Sequence, residues 1–348
     1  MSVKMSAFSR AGRNKKVAMR SISKRYLFFL FYVLLLAGSV YAEDSMLFLE
    51  SQMVYGYSSL LNSPVYYSLD SEHAEQKPSV GIEYRKRYTL DNQDLAGWTF
   101  QGRFAHDDAN DTRTETQIYD AYFDYKFWFA DIWAGHNRPA YGLNTILDTH
   151  QYLLQTLSAE GIGFERDWGG GVYTRFGEAD LNITFTSGSG YMLDYSGNYL
   201  INTRISYGIL NKDNYTAGVS FANGQIYDMV DYHRLRDNLC QTTSGGMDFS
   251  MNIRKWEFKF ETSIGNMSGN NVNGTLVRVG YNLLAKNRLK LEVQPVFVTN
   301  IDNGTYSKIY CGASYTFTDN LAFRAMYEYN GIDNDHSVVG QLYFHQRV

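Results

Sequence analysis

Residues Glu43 to Val348 predict an all-β fold: a transmembrane antiparallel barrel of about sixteen strands, with short turns at one end, long loops at the other and one loop folded inward. Three observations carry this. Apolar and polar residues take turns along stretches of roughly ten residues, as they do when the side chains of a strand point alternately to two faces. The gaps between stretches are by turns short and long. The chain is rich in aromatics and poor in strand breakers, with 29 Tyr and 21 Phe against 4 Pro, which suits pleated sheet.

The first 42 residues read as a cleaved export signal. Met1 to Arg25 holds eight basic residues (Lys4, Arg10, Arg13, Lys15, Lys16, Arg20, Lys24 and Arg25) and no acid. Tyr26 to Ala37 is then an apolar run of about a dozen residues, too short to span a bilayer comfortably. Gly38-Ser39-Val40-Tyr41-Ala42 offers the small residues a signal peptidase reads, so cleavage falls after Ala42; Met5 or Met19 is an alternative start. An uncleaved anchor is the competing reading, and the short apolar core argues against it. No later stretch approaches about eighteen consecutive apolar residues, so the remainder has to cross a membrane with strands. Taking the eight leader bases from 32 leaves 24 against 36 acids, a net of −12, and no basic surface for nucleic acid emerges. The mean hydropathy of −0.35 speaks against a helical membrane protein. A barrel escapes that objection because only one face of each strand meets lipid.

In order, the alternation places strands at Met46 to Tyr57, Ser79 to Leu90, Leu95 to Ala105, Thr114 to Phe127, Ala130 to Asn137, Asp167 to Phe176, Asp180 to Thr186 and Tyr199 to Ile209. The second half adds Tyr215 to Phe221, Gly246 to Arg254, Trp256 to Ile264, Thr275 to Leu284, Leu289 to Val298, Thr305 to Phe317, Leu321 to Tyr329 and Ser337 to Val348. Tight polar turns fall at Asp91 to Asp94, Gly177 to Ala179, Asn211 to Asn214, Ala285 to Arg288 and Thr318 to Asn320, with the residues that hairpins favour. Longer segments alternate with them: Ser58 to Pro78, His106 to Arg113, Arg138 to Arg166, Ser187 to Asn198, Ala222 to Gly245 and Asn266 to Gly274. A soluble sandwich has no reason to gather its long loops at one end. In an outer-membrane barrel the short turns are periplasmic and the long loops external.

Parity then assigns faces. Trp98, Phe100 and Phe104 share one face of their strand, as do Tyr119, Ala121, Phe123, Tyr125 and Phe127, and later Leu321, Phe323, Ala325, Tyr327 and Tyr329. The opposite faces carry Gln101, Arg103, Asp120, Asp124, Arg324 and Glu328. Arg85, Arg87, Arg175, Arg204, Arg254 and Arg278 likewise alternate with apolar neighbours. An Arg turned to lipid at mid-membrane costs about 2–4 kcal/mol, so these charged residues are expected to line the lumen. Lys86 and Pro295 fall at outward parity; snorkelling to an interface accommodates the first and a bulge the second.

Arg138 to Arg166 follows a short strand and contains its own apolar stretch, Tyr152-Leu153-Leu154 with Leu157. So apolar a segment is better folded against the inner wall than left in water. Around it, Ala134-Gly135-His136-Asn137-Arg138-Pro139-Ala140-Tyr141-Gly142, Gly169-Gly170-Gly171-Val172-Tyr173 and Phe176-Gly177 followed by Asp180-Leu181-Asn182-Ile183 resemble strand five, the inward loop and strand six of the Gram-negative general porins. Pro139-Ala140-Tyr141-Gly142 is similar to that family's Pro-acid-aromatic-Gly turn, with Ala140 where the acid is expected. The likeness covers about forty-five residues. The chain also ends in Val348 where the family usually has an aromatic residue, which bears on recognition by the insertion machinery.

The resemblance implies a sixteen-stranded homotrimer in the outer membrane, contacting lipid and passing small hydrophilic solutes and ions without a cofactor. Gly102 and Ala121 are small outward positions that could accept a neighbour. The resemblance further implies an acidic loop facing arginines across a constriction. By position, the loop offers Pro139, Tyr141, Gly142, Asp148, His150 and Glu160, and the basic wall Arg85, Arg87 and Arg103. Local pairing, for instance with Glu83, is the competing account of the arginines, and a solvated His150 is the plainer reading of the histidine.

Enzymatic motifs are missing: there is no His-Glu-x-x-His, no Gly-x-Ser-x-Gly, no phosphate loop and no paired-cysteine metal signature. Asp107, Asp108 and Asp111 in one loop could bind a divalent cation but read as solvated acids, and His73 falls in another loop. Cys240, in a long loop, and Cys311, on a late strand, are expected to stay unpaired. A channel selective for anions, phosphate or an acidic sugar is the nearest alternative. An adhesion barrel and an outer-membrane lipid hydrolase are more distant, the latter lacking a Ser and His pair at outward parity.

Overall fold

A computed structural model describes residues 43–65, 76–90, 93–106, 114–230, 233–300 and 304–348. The leader, His73, the turn residues Asp91 and Asn92, and the Asp107, Asp108 and Asp111 carboxylates lie outside the described residues.

Sixteen strands form the wall: β1 (Glu43–Ser58), β2 (Ser79–Leu90), β3 (Gln93–His106), β4 (Thr114–Lys126), β5 (Asp131–Asn137), β6 (Asp167–Phe176), β7 (Ala179–Thr186) and β8 (Tyr199–Tyr207). They continue as β9 (Tyr215–Ile226), β10 (Cys240–Ile253), β11 (Trp256–Met267), β12 (Asn270–Leu283), β13 (Leu289–Asn300), β14 (Gly304–Thr318), β15 (Leu321–Asn330) and β16 (Asp335–Arg347). Each pairs antiparallel with the next, and β16 returns to β1 from Phe48 opposite Arg347 to Ser58 opposite Ser337. The sheet is therefore a closed ring with no free edge, the arrangement that satisfies backbone groups without water. Two small additions sit on the loop side: Ser63–Val65 folds back on the end of β1, and Met229–Val230 pairs with His233–Arg234.

The alternation read from the sequence appears as an apolar skin and a charged interior. Met53, Phe104, Phe185 and Ile264 are all more than 60% exposed on the outside, a surface that lipid stabilises and water does not. Arg204 and Arg278 point inward and are buried.

Three expectations change. β9 runs on to Ile226 and β10 begins at Cys240, so the connection expected from Ala222 to Gly245 is only 227–239. The loop expected from Asn266 to Gly274 shrinks to the two residues Ser268 and Gly269, because Asn266, Asn271 and Asn273 pair across the hairpin despite their polarity. Pro295 makes no bulge: the β12 and β13 ladder breaks between the pairs Leu276–Val296 and Val279–Val293 and resumes in the same register. A proline removes one donor without adding a residue. Both cysteines are free, Cys240 buried and Cys311 exposed.

Candidate functional site

The interior is organised by the segment between β5 and β6. Its entry is fixed by backbone. Tyr141 N–H donates to Pro139 O (2.9 Å), Ala140 N–H to Thr184 Oγ1 on β7 (3.2 Å), Gly142 N–H to Ser220 Oγ on β9 (3.1 Å) and Leu143 N–H to Glu261 Oε1 on β11 (3.2 Å). The Tyr141 hydroxyl shares a 2.6 Å hydrogen bond with Ser263. Gly142 has φ +54°, and a Cβ there would collide with the Glu261 carboxylate. Glycine suits that position on both counts.

Its exit is fixed by charge. Arg166, fully buried, donates to Asp120 Oδ1 (3.0 Å), Asp148 Oδ1 (3.0 Å) and Glu165. Removing one partner from such a buried cluster costs about 3–5 kcal/mol, since the others are left uncompensated. Between entry and exit, Asp148 Oδ1 lies 2.8 Å from His150 Nδ1, and Glu50 on β1 lies 3.5 Å from His150 Nε2. Burial opposes a charge on His150, but the Asp148 and Glu50 carboxylates outweigh it and push the imidazole up to about 9. Burial likewise raises Asp148, and His150 and Arg166 together hold it well below the usual carboxylate range.

A bulge brings the wall to this cluster. Between Gln101 opposite Asp120 and Gly102 opposite Ile118 the register of β3 and β4 slips by one, leaving Tyr119 as the extra residue. Tyr119 and Asp120 are consequently both buried inside, where the Tyr119 hydroxyl accepts from Arg103 and its ring lies 5.7 Å from His150. Parity alone put Tyr119 outside with Ala121 and Phe123; the bulge reverses it.

The far side of the segment meets β12 to β15. Gln155 O accepts from Arg278 (2.8 Å) and Gln294 (3.1 Å), and Gln151 Oε1 accepts from Arg324 (3.5 Å). Glu160 accepts from Tyr306 and Tyr310 (3.0 Å each) and pairs with Lys308 (3.0 Å). Leu143, Leu153, Leu154, Leu157 and Ile162 pack in one buried cluster with Leu276, Val296 and Met326.

Toward the rim of short turns a polar cavity of about 320 Å³ remains. Arg85, Arg87, Arg138, Asp120, Asp124 and Asp148 are among the residues lining it. Arg85 pairs with Glu83 and is half exposed. Arg87 and Arg138 make no ion pair among the described residues.

Several expected roles shift accordingly. Arg103 does not front the cavity: it is 2% exposed and held by Gln117 (2.6 Å), Tyr119 and the His150 carbonyl (3.4 Å). Glu160 does not oppose the basic wall, because it is turned to β14 and neutralised there. His150 is buried, not solvated. Arg254 leaves the lumen altogether, since β10 ends at Ile253 and Arg254 occupies the following turn at φ +55°. Arg175 sits near the turn rim, exposed, with Asp180 as partner (2.7 Å). Arg204 is bound by Asp248 (2.6 and 2.9 Å), and Glu328 is buried inside. Arg278 and Arg324 lie inside as holders of the loop. Glu50, Gln155 and Arg166 carry no local motif and were not singled out by the sequence, and Arg138 stood in the quoted motif without an assigned role.

No family model matches the sequence and no curated protein aligns with it. Solved structures share its fold. OmpT of Vibrio cholerae, an outer membrane protein in trimer form, is 10% identical with a TM-score of 0.63, over 88% of this chain and 100% of that one. An anion-selective porin from Comamonas acidovorans is 11% identical with a TM-score of 0.61, over 88% and 100%. The outer membrane channel DcaP of Acinetobacter baumannii is 11% identical with a TM-score of 0.59, over 88% and 98%. At such identities the likeness establishes the porin fold.

Proposed function

We propose, on the sixteen-stranded porin fold of this chain, that the protein is an outer-membrane channel passing small hydrophilic solutes and ions passively, with no covalent step. One observation carries the reading: an apolar skin surrounds a cavity lined by Arg85, Arg87, Arg138, Asp120, Asp124 and Asp148. Charges of both signs around a narrow polar passage bias which ions enter, while the inward segment sets the size of what passes. The constriction is assigned to Arg85 and Arg87 with Asp148.

The short turns belong to the periplasmic rim and the loops to the outside, and residues 1–42 are removed on export. A homotrimer is supported by β5. Its seven residues span about 23 Å when fully extended and less when tilted, short of the ~25 Å apolar band that lipid requires. That section of wall is better matched to a neighbouring copy. The solved OmpT trimer form agrees in kind.

The test is reconstitution of the processed protein, with N-terminal sequencing expected to begin at Glu43. Planar-bilayer recordings are expected to give discrete ohmic steps, and liposomes carrying the protein to admit small sugars. A protein that gives no steps, with the inward segment intact or replaced by a short linker, contradicts the channel. Anion preference is favoured within this reading by Arg87 and Arg138, which face Asp124 and Asp148 across the cavity without a direct ion pair among the described residues.

A further inference from the structure

The inward segment touches the wall nearly all the way round. Counted from the bonds above, it reaches β1 through His150, β3 through the His150 carbonyl, β4 through Arg166, and β7, β9 and β11 through Ala140, Gly142 and Leu143. Gln155 reaches β12 and β13, Glu160 β14 and Gln151 β15. Ten of the sixteen strands hold one segment.

Burial agrees with those contacts. Gln52, Gln117, Asn202, Glu261, Leu276 and Gln341 point inward from six strands spread around the ring, and none is more than 3% exposed. Side chains facing an open aqueous lumen would be wetted. The wall is also shaped to receive the segment: a Cβ on Gly312 of β14 would lie 2.6 Å from Leu154 Cδ1, and one on Gly274 of β12 would lie 2.5 Å from Ile162 Cδ1. Both contacts are closer than packed carbon atoms allow.

We infer that the resting barrel is closed: Arg138 to Arg166 is a plug seated across the lumen, and solutes pass when its middle, Gln151 to Glu160, leaves the wall of β12 to β15. The ends stay in place. The entry is held by backbone N–H groups and the exit by Arg166 with three carboxylates, whereas the middle is held by wall side chains on the Gln155 carbonyl, the Leu157 N–H and Glu160 and by apolar packing, all of which can part without unpairing a strand. The inference rests on the channel reading, which it refines from an open pore to one that must be unseated.

Unitary conductance of the processed protein tests it, comparing the natural sequence, Gly312→Val, the double variant Arg278→Ala with Lys308→Ala, and a barrel in which residues 144–160 are replaced by a short Gly-Ser linker. The added side chain of Gly312→Val wedges against Leu154 on an ordinary strand backbone. The natural protein is expected to conduct at least ten-fold less than the linker barrel, with Gly312→Val and the double variant moving several-fold toward the latter. Equal conductance of the natural protein and the linker barrel overturns the plug and leaves the channel standing. Silence of every form, with the barrel folded by its heat-shifted gel mobility, removes the channel and the plug together. If either wall variant fails to fold, the comparison of natural protein and linker barrel still decides.

Discussion

At the scale of single residues, the site depends on groups that cannot be exchanged without loss. Gly142 combines a positive φ with contact to Glu261, so Gly142→Ala is expected to weaken the entry by about 1–3 kcal/mol. Limited proteolysis between Tyr141 and Glu160 should accelerate, with the barrel itself still folded. His150 gives a pH dependence of definite sign. It is faced by Asp148, Glu50, the Tyr119 ring and Arg103, which donates to its carbonyl. A folded value of about 9 against 6.5 means that its contribution is complete below about pH 6.5 and is lost as pH rises through about 9. Its size is on the order of 3 kcal/mol. Asp148, held low, contributes above its ordinary range and loses that only in strong acid. Protection of the Asp148 to Arg166 amides, corrected for the base-catalysed intrinsic exchange rate, is therefore expected to fall between pH 7 and 10. That fall should be absent in His150→Gln, and an equal fall in the variant would refute the assignment.

At the scale of elements, Pro295 leaves a gap in the ladder between β12 and β13 without shifting it. Pro295→Val restores a donor on the lipid side and is expected to stabilise the barrel by about 1 kcal/mol, read as a higher temperature of gel-mobility shift. The sixteen strands were legible because a period of two survives any local irregularity of composition. Their ends were less so. Asn266 and Asn273 look like loop residues and serve in strands: they share the outward parity of Ile264 at the hairpin end of β11 and β12, where their side-chain oxygens accept from the backbone N–H groups of Gly269 and Gly265. The Tyr119 bulge was not legible at all: an inserted residue is visible only against its partner strand. Asp148 and the Pro139 to Gly142 turn were recognisable from the loop's own residues. Arg166 and Gln155 acquire their roles from partners on distant strands, and nothing local marks them; Glu160 was recognisable as a loop acid, but its partners Tyr306, Lys308 and Tyr310 on β14 were not.

At the scale of the whole molecule, the net charge of −12 on Glu43 to Val348 and the arginines that line the cavity pull selectivity in opposite directions. Counter-ions screen the outer charge within about 8 Å at physiological salt, so the narrow interior decides. Arg85→Ala with Arg87→Ala is expected to move the reversal potential in a salt gradient toward cations; an unchanged potential would place the selective point elsewhere. The ring is joined at a single seam where β16 meets β1, and Glu50 stands beside it. That carboxylate accepts from Gln101 on β3 (3.0 Å) and Tyr343 on β16 (3.2 Å) while it faces His150. Three parts of the chain far apart in order of synthesis thus converge on one acid. Zipping the cylinder shut and stoppering it share one carboxylate, so a nascent barrel caught with its seam open is expected to leak.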